Sequence, residues 1–257
     1  MYILWVMRVN EAISQLKRSF AIAKKDMLIF YLKGPVIIMG LLFPLFMFAA
    51  FLIGRNLPSR ELFVVLLSMT VFFTSTAVGP TIIPWEARSK TFERLLSTPI
   101  SITTVLLGDM QASFYFGLLI SLAISLSAIY LSVSINILLF LIALVLGLLC
   151  FSSLTILMSS YPPTDVPADV MMLSSLVKFS LLFISGIFVP LSKLPEYGKI
   201  LSYLSPLTYF VDSLRWAIGS GGYFSIWLDF VMLLFFTLLF LFGGIAVHKR
   251  VLERRFR

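Results

Sequence analysis

Residues 85–101 read WEARSKTFERLLSTPIS and form an island of charge between two long apolar runs. As a single helix, this stretch would place five apolar residues near one face, namely Trp85, Phe92, Leu95, Leu96 and Pro99. The pattern is typical of an amphipathic segment. The flanking runs are too long and too apolar for a soluble protein, so the segment is expected to join two membrane spans at a membrane surface. In that position a soluble partner that docks at the membrane surface would be able to move it.

The composition predicts an all-α integral membrane protein. Of the 257 residues, 60% are hydrophobic and only 12% are charged. At roughly 20 residues per crossing, the length suits about six spans and leaves no stretch for a soluble catalytic domain. The net charge of +8 comes from cations beside the spans, which favours membrane lipids over nucleic acid as the partner. Cys150 is the only cysteine, so no intrachain disulfide can form.

The chain divides into two predicted parts. Residues 1–34 are expected to form an interfacial helix, because apolar residues recur at steps of three and four from Val9 to Phe30 and the cations fall mainly off that stripe. Residues 35–257 are expected to form one six-span transmembrane domain. Its six predicted spans are 35–54, 62–83, 105–131, 137–158, 171–190 and 226–247. The interrupted stretch 191–225 predicts short external helices between the last two spans.

The distribution of lysine and arginine predicts the orientation. With six spans, the N-terminal 34 residues, the charged island and the C-terminus lie on one face and together carry 14 of these residues. The other face carries five. Because positive residues concentrate in cytoplasmic segments, both termini and the island are expected to be cytoplasmic.

Few side chains are candidates for chemistry. Asp109 and Lys178 are the ionisable residues well inside the predicted spans, and we expect snorkelling or structural pairing more than contact with substrate. Thr70 and Thr74 belong to the most polar span, where hydroxyls either line a route or bond backbone carbonyls. His248, in the basic tail, is expected to be solvated or to face head groups. No metal site and no Gly-x-x-x-x-Gly-Lys-Ser/Thr phosphate loop is found.

Small residues predict one close helix contact. Gly117, Ser121 and Ser125 recur at every fourth position of the third span, which lets another helix approach closely.

Two stretches resemble the type-2 ATP-binding-cassette (ABC) permeases. In the island, the matching residues are Thr91, Glu93, Leu95, Leu96, Thr98, Pro99 and Ser101, while Lys90 stands where the family usually has glycine. The second stretch follows the fifth span and matches at Ser185-Gly186, Pro190, Leu194-Pro195, Ser205 to Tyr209, Asp212 and Arg215. With the interfacial helix and six spans included, the resemblance covers nearly the whole chain.

The resemblance implies an exporter subunit that pairs with a second copy as a homodimer and docks two separate ATPase subunits, which bind ATP and Mg. This chain would bind no cofactor and would not be an enzyme itself. The implied coupling helix comprises Glu86, Arg88, Lys90, Thr91, Phe92, Glu93, Arg94, Leu95 and Leu96. The implied external gate comprises Pro190, Pro195, Pro206, Tyr209, Asp212 and Arg215. The cargo would be a drug, a lipid, or a lipid-linked glycan or polysaccharide, moved outward across the cell membrane.

Two other functions fit the composition. A secondary transporter or channel would need intramembrane carboxylates or broken helices at the midplane, and apart from Asp109 the spans lack such carboxylates. A membrane-embedded enzyme acting on lipid would need a cluster of His, Asp or Glu at one surface. Asp165 and Asp169 are the only close pair, and a hydrated, helix-capping loop explains them equally.

Overall fold

The computed structural model describes residues 2–53, 58–160, 164 and 166–255. Every regular element in these ranges is helical, which confirms the all-α membrane fold. In chain order the elements are α1 (Tyr2–Asp26), a π-helical turn (Met27–Tyr31), α2 (Gly34–Leu52), α3 (Ser59–Ser75), α4 (Gly79–Arg88), α5 (Thr91–Leu96), α6 (Ile102–Ser125), α7 (Ser127–Tyr130), α8 (Ile137–Ser159), α9 (Pro167–Ile184), a 3₁₀ turn (Leu191–Lys193), α10 (Glu196–Tyr203), α11 (Pro206–Ala217) and α12 (Ile226–Arg255).

Five helical stretches of the described chain are long and apolar enough to cross a membrane on their own: Ser59–Arg88, Ile102–Tyr130, Ile137–Ser159, Pro167–Ile184 and Ile226–Val251. A sixth is reached when Ile13–Tyr31 and Val36–Ala50 are taken together across their 89° bend. The 19 residues of α2 carry no charge and extend about 28 Å, close to the thickness of the hydrocarbon core. The last five predicted spans correspond to α3–α4, α6–α7, α8, α9 and α12, and the first predicted span corresponds to α2, the second half of that bent pair.

The span formed by α3 and α4 is the central helix of the bundle. In its most apolar window 83% of the residues are buried inside the protein, against 28% for α9 and for α12. It packs against α2, α6, α8, α9 and α11. Because this span contacts protein on most sides, it can carry hydroxyl side chains that a lipid-facing helix would have to turn away from the acyl chains. The helix breaks at Thr76–Val78, where α3 ends and α4 begins.

The N-terminal helix α1 packs along the first half of α6. The two backbones are close at Gly108, where an added Cβ would lie 2.6 Å from Ile22. The apolar residues Ile13, Leu16 and Phe20 of the predicted stripe are exposed on the outside of the protein. An outward apolar stripe is the arrangement expected of a helix whose free face rests in the acyl boundary.

Small residues also bring the spans together elsewhere. An added Cβ at Gly117 of α6 would overlap the hydroxyl of Ser75 on α3 and approach Leu148 of α8. Ser121, one turn later, is buried as well. The small-residue pattern of the third span therefore does mark a close helix contact.

One of the short helices predicted between the last two spans lies inside the bundle. In α11 every residue except Trp216 is buried, and the helix packs among α3, α8 and α12. Gly147 of α8 makes room for the ring of Phe210. At its end, the carbonyl of Ala217 accepts a 2.7 Å hydrogen bond from the amide of Asn136, at the start of α8. α11 is therefore wedged into the bundle.

The last span is longer than predicted. α12 continues to Arg255 as one helix, and its last turns lie beside the end of α8. His248 is buried there, with Nε2 lying 3.0 Å from the hydroxyl of Ser159 and 3.2 Å from the carbonyl of Ile156. The expectation of a solvated or head-group-facing His248 is therefore wrong. Helix α12 turns this side chain toward α8, where the imidazole can bond a hydroxyl and a carbonyl.

Candidate coupling site

Residues 85–101, which we call the coupling segment, are not the single helix that the pattern predicted. Helix α4 ends at Arg88, and α5 begins at Thr91. Between them Lys90 has a left-handed backbone, with φ of 58° and ψ of 16°. A left-handed residue ends an α-helix because its carbonyl and amide leave the helical direction. Lysine thus occupies a conformation that glycine adopts more readily, at the position where the resembling permeases usually have glycine.

The break divides the predicted residues into an exposed tip and a buried anchor. We define the exposed tip by five polar residues whose side chains are exposed: Arg88, Lys90, Thr91, Glu93 and Arg94. Phe92 faces inward and is 4% exposed, whereas Trp85 is 52% exposed. Trp85 and Phe92 therefore do not share one face, because the left-handed turn between them rotates α5 relative to α4.

An apolar cluster holds the tip in place. Phe92 packs in a group formed by Ile83 and Ala87 of α4, Val105, Leu106 and Met110 of α6, Ile22 of α1 and Ile156 of α8. Leu96 packs against the same group from the other end of α5. The tip is consequently attached to the central span, to α6 and to α1 at the same time.

Helix α1 also holds both ends of the coupling segment through polar contacts. Arg18 donates to the carbonyl of Pro99, and Gln15 accepts a 2.6 Å hydrogen bond from the hydroxyl of Thr104. At the other end, Lys25 donates to the carboxylate of Glu86. Glu86 is 4% exposed, so it points away from the tip. It lies on the side of α4 that faces α1, with Lys25 as its partner.

A groove of about 460 Å³ opens beside the tip. Its walls come from the end of α1, the π-helical turn, α4 and α5, and they include Ile29, Phe30, Trp85 and Arg94. Exposed Trp85 therefore forms part of this wall.

Asp109 lies directly beneath the coupling segment and is buried. It is 3% exposed, and its carboxyl interacts with that of Asp26 on α1, which has no exposed surface. Of the two sequence-based expectations, snorkelling is therefore wrong for Asp109. The close packing of α1 against Gly108 covers the carboxyl and keeps it inside the protein.

Lys178 is buried on α9 and donates a 3.2 Å hydrogen bond to the carbonyl of Thr76. That carbonyl lies at the C-terminal end of α3, where the helical hydrogen bonds stop and the backbone dipoles favour a cation. The structural pairing expected for Lys178 is thus made with the backbone of the central span.

The two threonines of the central span bond their own helix. Thr70 donates to the carbonyl of Leu66 over 2.8 Å, and Thr74 donates to that of Thr70 over 2.7 Å. Both side chains are fully buried. These contacts favour the carbonyl-bonding role for the hydroxyls, and a place on the substrate route stays a prediction.

The predicted gate residues are brought together at the opposite end of the bundle. Arg215 of α11 forms an ion pair with Glu61 at the start of α3, with Nη2 lying 3.2 Å from Oε2. Both carboxylate oxygens of Asp212 accept 2.8 Å bonds from backbone amides, those of Tyr223 and Phe224. Asp212 therefore fixes the loop that leads into α12.

The remaining gate residues shape the same end. Pro206 begins α11, Pro195 precedes α10, and Pro190 precedes the 3₁₀ turn. Tyr209 donates a 3.0 Å hydrogen bond to the carbonyl of Tyr203. Burial, together with the negative charge of Asp229, raises the pKa of Tyr209 above its usual value, so the phenol stays neutral. Pro190, Asp212 and Arg215 border a cavity of about 540 Å³.

The comparison with known families decides the class of the protein. A family described as ABC-2 type transporter matches residues 13–218, which is most of the chain. The chain belongs to the ABC-2 type transporter family. A search of curated proteins gave no match.

As an ABC-2 permease, the chain is a multi-pass membrane component of an ABC-type transporter and partners with ABC ATPase subunits. Family membership argues against the secondary transporter and channel, since those work without an ATPase. For the lipid-modifying enzyme, Asp165 lies outside the described residues. Asp169 is exposed and accepts a 3.3 Å hydrogen bond from Thr164. That contact joins the loop to the first turn of α9, and no side chain among the described residues caps the start of the helix.

The structural roles of three polar residues of this ABC-2 permease were not predicted from the sequence. Asp26 was counted only as part of an interfacial helix, and Glu61 only as part of a loop. His248 was assigned to the tail. Each is defined by a partner more than 80 residues away, namely Asp109, Arg215 and Ser159. One signal was available for Asp26, because an acidic residue directly after two lysines interrupts the basic character of that helix.

Proposed function

We propose that this chain is the permease subunit of an ATP-driven exporter, with two ATPase subunits docked at the coupling segment and a second copy of the chain completing the pathway. The observation that carries this proposal is the exposed tip. It presents charged side chains at the end of the central span. The buried Phe92 packs it against α1, α6 and α8. ATP and Mg would be bound by the ATPase subunits.

The anchoring suggests how movement would pass through the permease. A push on α5 would reach α4 through the Phe92 cluster, because these side chains are packed without room to slide. Helix α4 is one half of the central span, so it would move relative to α3 about the break at Thr76–Val78. Helix α1 would move with the segment, since Arg18 and Lys25 hold its two ends.

At the opposite end of the bundle, such a movement would reach α11 directly. It packs on α3, and the Glu61–Arg215 ion pair joins the start of α3 to the end of α11. A shift of the central span would therefore change the position of α11 and of the cavity beside it. This arrangement supports the gate role of Pro190, Pro195, Pro206, Tyr209, Asp212 and Arg215.

The same proposal includes a direction of transport and a class of cargo. We assign outward transport of a drug-like molecule, a lipid, or a lipid-linked glycan or polysaccharide across the cell membrane, with both termini in the cytoplasm. The excess of lysine and arginine on the side of the termini supports this orientation.

The orientation can be tested with single cysteines. Cys150, the only native cysteine, is buried, so it gives little background with a polar thiol reagent. A cysteine at Glu93 should be labelled only after the membrane is opened, and one at Glu196 should be labelled in intact cells. Labelling of Glu93→Cys in intact cells would contradict the orientation.

The coupling assignment can be tested by charge reversal at the tip. We expect Glu93→Arg with Arg94→Glu to lower co-purification of the ATPase subunit and substrate-stimulated ATP hydrolysis severalfold, because both side chains are exposed and neither supports the fold. Glu196→Arg, an exposed charge change at the opposite end, is the matched control and should leave both quantities unchanged. Unchanged values in the double variant would argue strongly against docking at the exposed tip.

A further inference from the structure

The two buried carboxyls of Asp26 and Asp109 have no part in the coupling movement proposed for the permease. Asp26 is at the end of α1 and has no exposed surface, and Asp109 on α6 is 3% exposed. Among the described residues, no hydrogen-bond donor serves either oxygen of Asp109. The two carboxyls interact with each other, yet as carboxylates both can only accept hydrogen bonds.

The packing holds the two groups close together. Gly108, the neighbour of Asp109, lies so close to α1 that an added Cβ would be 2.6 Å from Ile22 and 3.0 Å from the carbonyl of Ser19. The two helices are therefore in close contact at the residue next to Asp109. Water cannot readily reach side chains covered in this way, so repulsion between two negative charges would be poorly screened.

The nearby charges do not balance two carboxylates. The titratable groups that face Asp109 are Asp26 and Lys25 from α1, Glu86 from α4 and Tyr31 from the π-helical turn. Tyr31 is hydrogen-bonded to Ser113 over 2.6 Å. Three carboxyl groups thus face a single ammonium, that of Lys25. Lys25 bonds Glu86 and lies 3.0 Å from Oδ1 of Asp26, which leaves Asp109 without a cation of its own.

We propose that Asp109 and Asp26 share one proton, carried by Asp109 and donated to the Asp26 carboxylate, and that this acid–carboxylate hydrogen bond fastens α1 to α6 under the coupling segment. Adjacent carboxyls in a site closed to water retain one proton between them for this reason. Loss of the proton would create two buried negative charges in contact and push α1 away from α6. The coupling segment would then lose the support that α1 gives to both of its ends.

A metal ion is a poorer explanation for the same groups. Within the described part of the chain, no set of three or more His, Cys, Asp or Glu side chains is placed to hold a metal ion. Lys25 also occupies the space between Asp26 and Glu86, where a cation would otherwise be bound.

The proposal predicts the sign of the pH dependence. In the unfolded chain both carboxyls are ionised near neutral pH, whereas the folded chain keeps one proton on the pair. The folded state therefore binds one more proton, and stability must fall as the pH rises from the range in which the unfolded carboxyls ionise up to the pH at which the folded pair loses its proton, above which stability levels off. The ratio of folded to unfolded protein should fall by up to about tenfold for each pH unit in that range.

The test uses the purified full-length chain without ATPase, so its outcome is independent of the coupling assignment. Thermal unfolding is measured from mildly acidic to mildly alkaline pH for the wild type, Asp109→Asn and Asp169→Asn. The amide of Asp109→Asn can donate to Asp26 and cannot lose a proton, so its melting temperature should fall less with rising pH than that of the wild type. Asp169 is exposed, and its Asn variant should keep the wild-type slope. Parallel slopes for the wild type and Asp109→Asn would overturn the proposal.

A second measurement does not depend on the stability of the variants. The infrared spectrum of the wild type should contain the carbonyl band of a protonated carboxylic acid at neutral pH. The band should persist while the thermal stability falls and be lost at the higher pH where that fall levels off, and it should be absent from Asp109→Asn. A wild type without this band would overturn the proposal. So would a rise in melting temperature with added Mg²⁺ or Na⁺ that Asp109→Asn abolishes, since a cation would then hold the pair.

Discussion

The ammonium of Lys178 donates a 3.2 Å hydrogen bond to the carbonyl of Thr76, joining the fifth span to the point where the central span is interrupted. The contact closes a gap in the helical hydrogen bonding that would otherwise stay open in a medium with little water. It also places a positive charge at the C-terminal end of α3. The break can therefore exist without an exposed backbone group.

We expect the contribution of the Lys178 hydrogen bond to stability to show when two neutral replacements of Lys178 are compared. Lys178→Met leaves the Thr76 carbonyl without its donor, whereas the amide of Lys178→Gln can still donate to it. The Met variant should be less stable than the Gln variant by about 1–3 kcal/mol, the cost of an unsatisfied buried polar group. Thermal unfolding of the two purified proteins measures the difference. Equal stabilities would mean that the hydrogen bond contributes nothing.

The left-handed backbone of Lys90 predicts a stabilising substitution. Glycine adopts this conformation without steric cost, so Lys90→Gly should raise stability by up to about 1 kcal/mol. Lys33→Gly is the matched control, because Lys33 is also exposed but has φ of −94°. It should give no gain. A Lys90→Gly protein that melts below the wild type would contradict the strain assigned to this residue.

The two aromatic residues of the coupling segment should behave differently. Phe92→Ala removes a buried ring from the apolar cluster and should cost about 3–5 kcal/mol, while Trp85→Ala at an exposed position should change stability by about 0.5 kcal/mol or less. Thermal unfolding of the purified chains measures both effects. Limited proteolysis should also cleave the segment faster in Phe92→Ala. Similar losses in the two variants would show that Phe92 is not the anchor.

Adjacent glycines on α12 provide a test of the packing between spans. An added Cβ at Gly244 would lie 2.8 Å from the side chain of Ile156 and 3.0 Å from its backbone, whereas at Gly243 the nearest atom is 3.7 Å away. Gly244→Ala should therefore destabilise the protein by about 1–3 kcal/mol through overpacking. Gly243→Ala should be neutral or slightly stabilising, because alanine favours the helix. The Gly243→Ala protein should therefore melt at a higher temperature than the Gly244→Ala protein. The reverse order would contradict the helix contact.

Much of the fold could be predicted because lipid imposes a simple rule on each span separately. Hydropathy located α2, α6, α8 and α12, and the polar interruptions located α5 and α10. These features depend on neighbours in the sequence, and the thickness of the bilayer fixes the lengths. The island at 85–101 was recognised by the same contrast between charge and apolar sequence.

The direction in which individual polar side chains face could not be predicted in this way. Glu86 has the same local pattern as Glu93, yet Lys25 draws it inward while Glu93 remains exposed. Asp109 was expected to be shallow because of its distance from the helix end. Its burial comes from α1, which packs over it from another part of the chain. The left-handed turn at Lys90 was also missed, since lysine gives no sign of a helix break.

The attachment of α1 to both ends of the coupling segment bears on how this protein can be engineered. A version shortened to begin after Tyr31 would retain the apolar helix α2 and the five spans that follow it, so hydropathy alone would show little loss. It would nevertheless lack Arg18 and Lys25, so the loop between the second and third crossings would no longer be braced. Insertion into the bilayer and productive use of ATP are therefore expected to respond differently to trimming at this terminus.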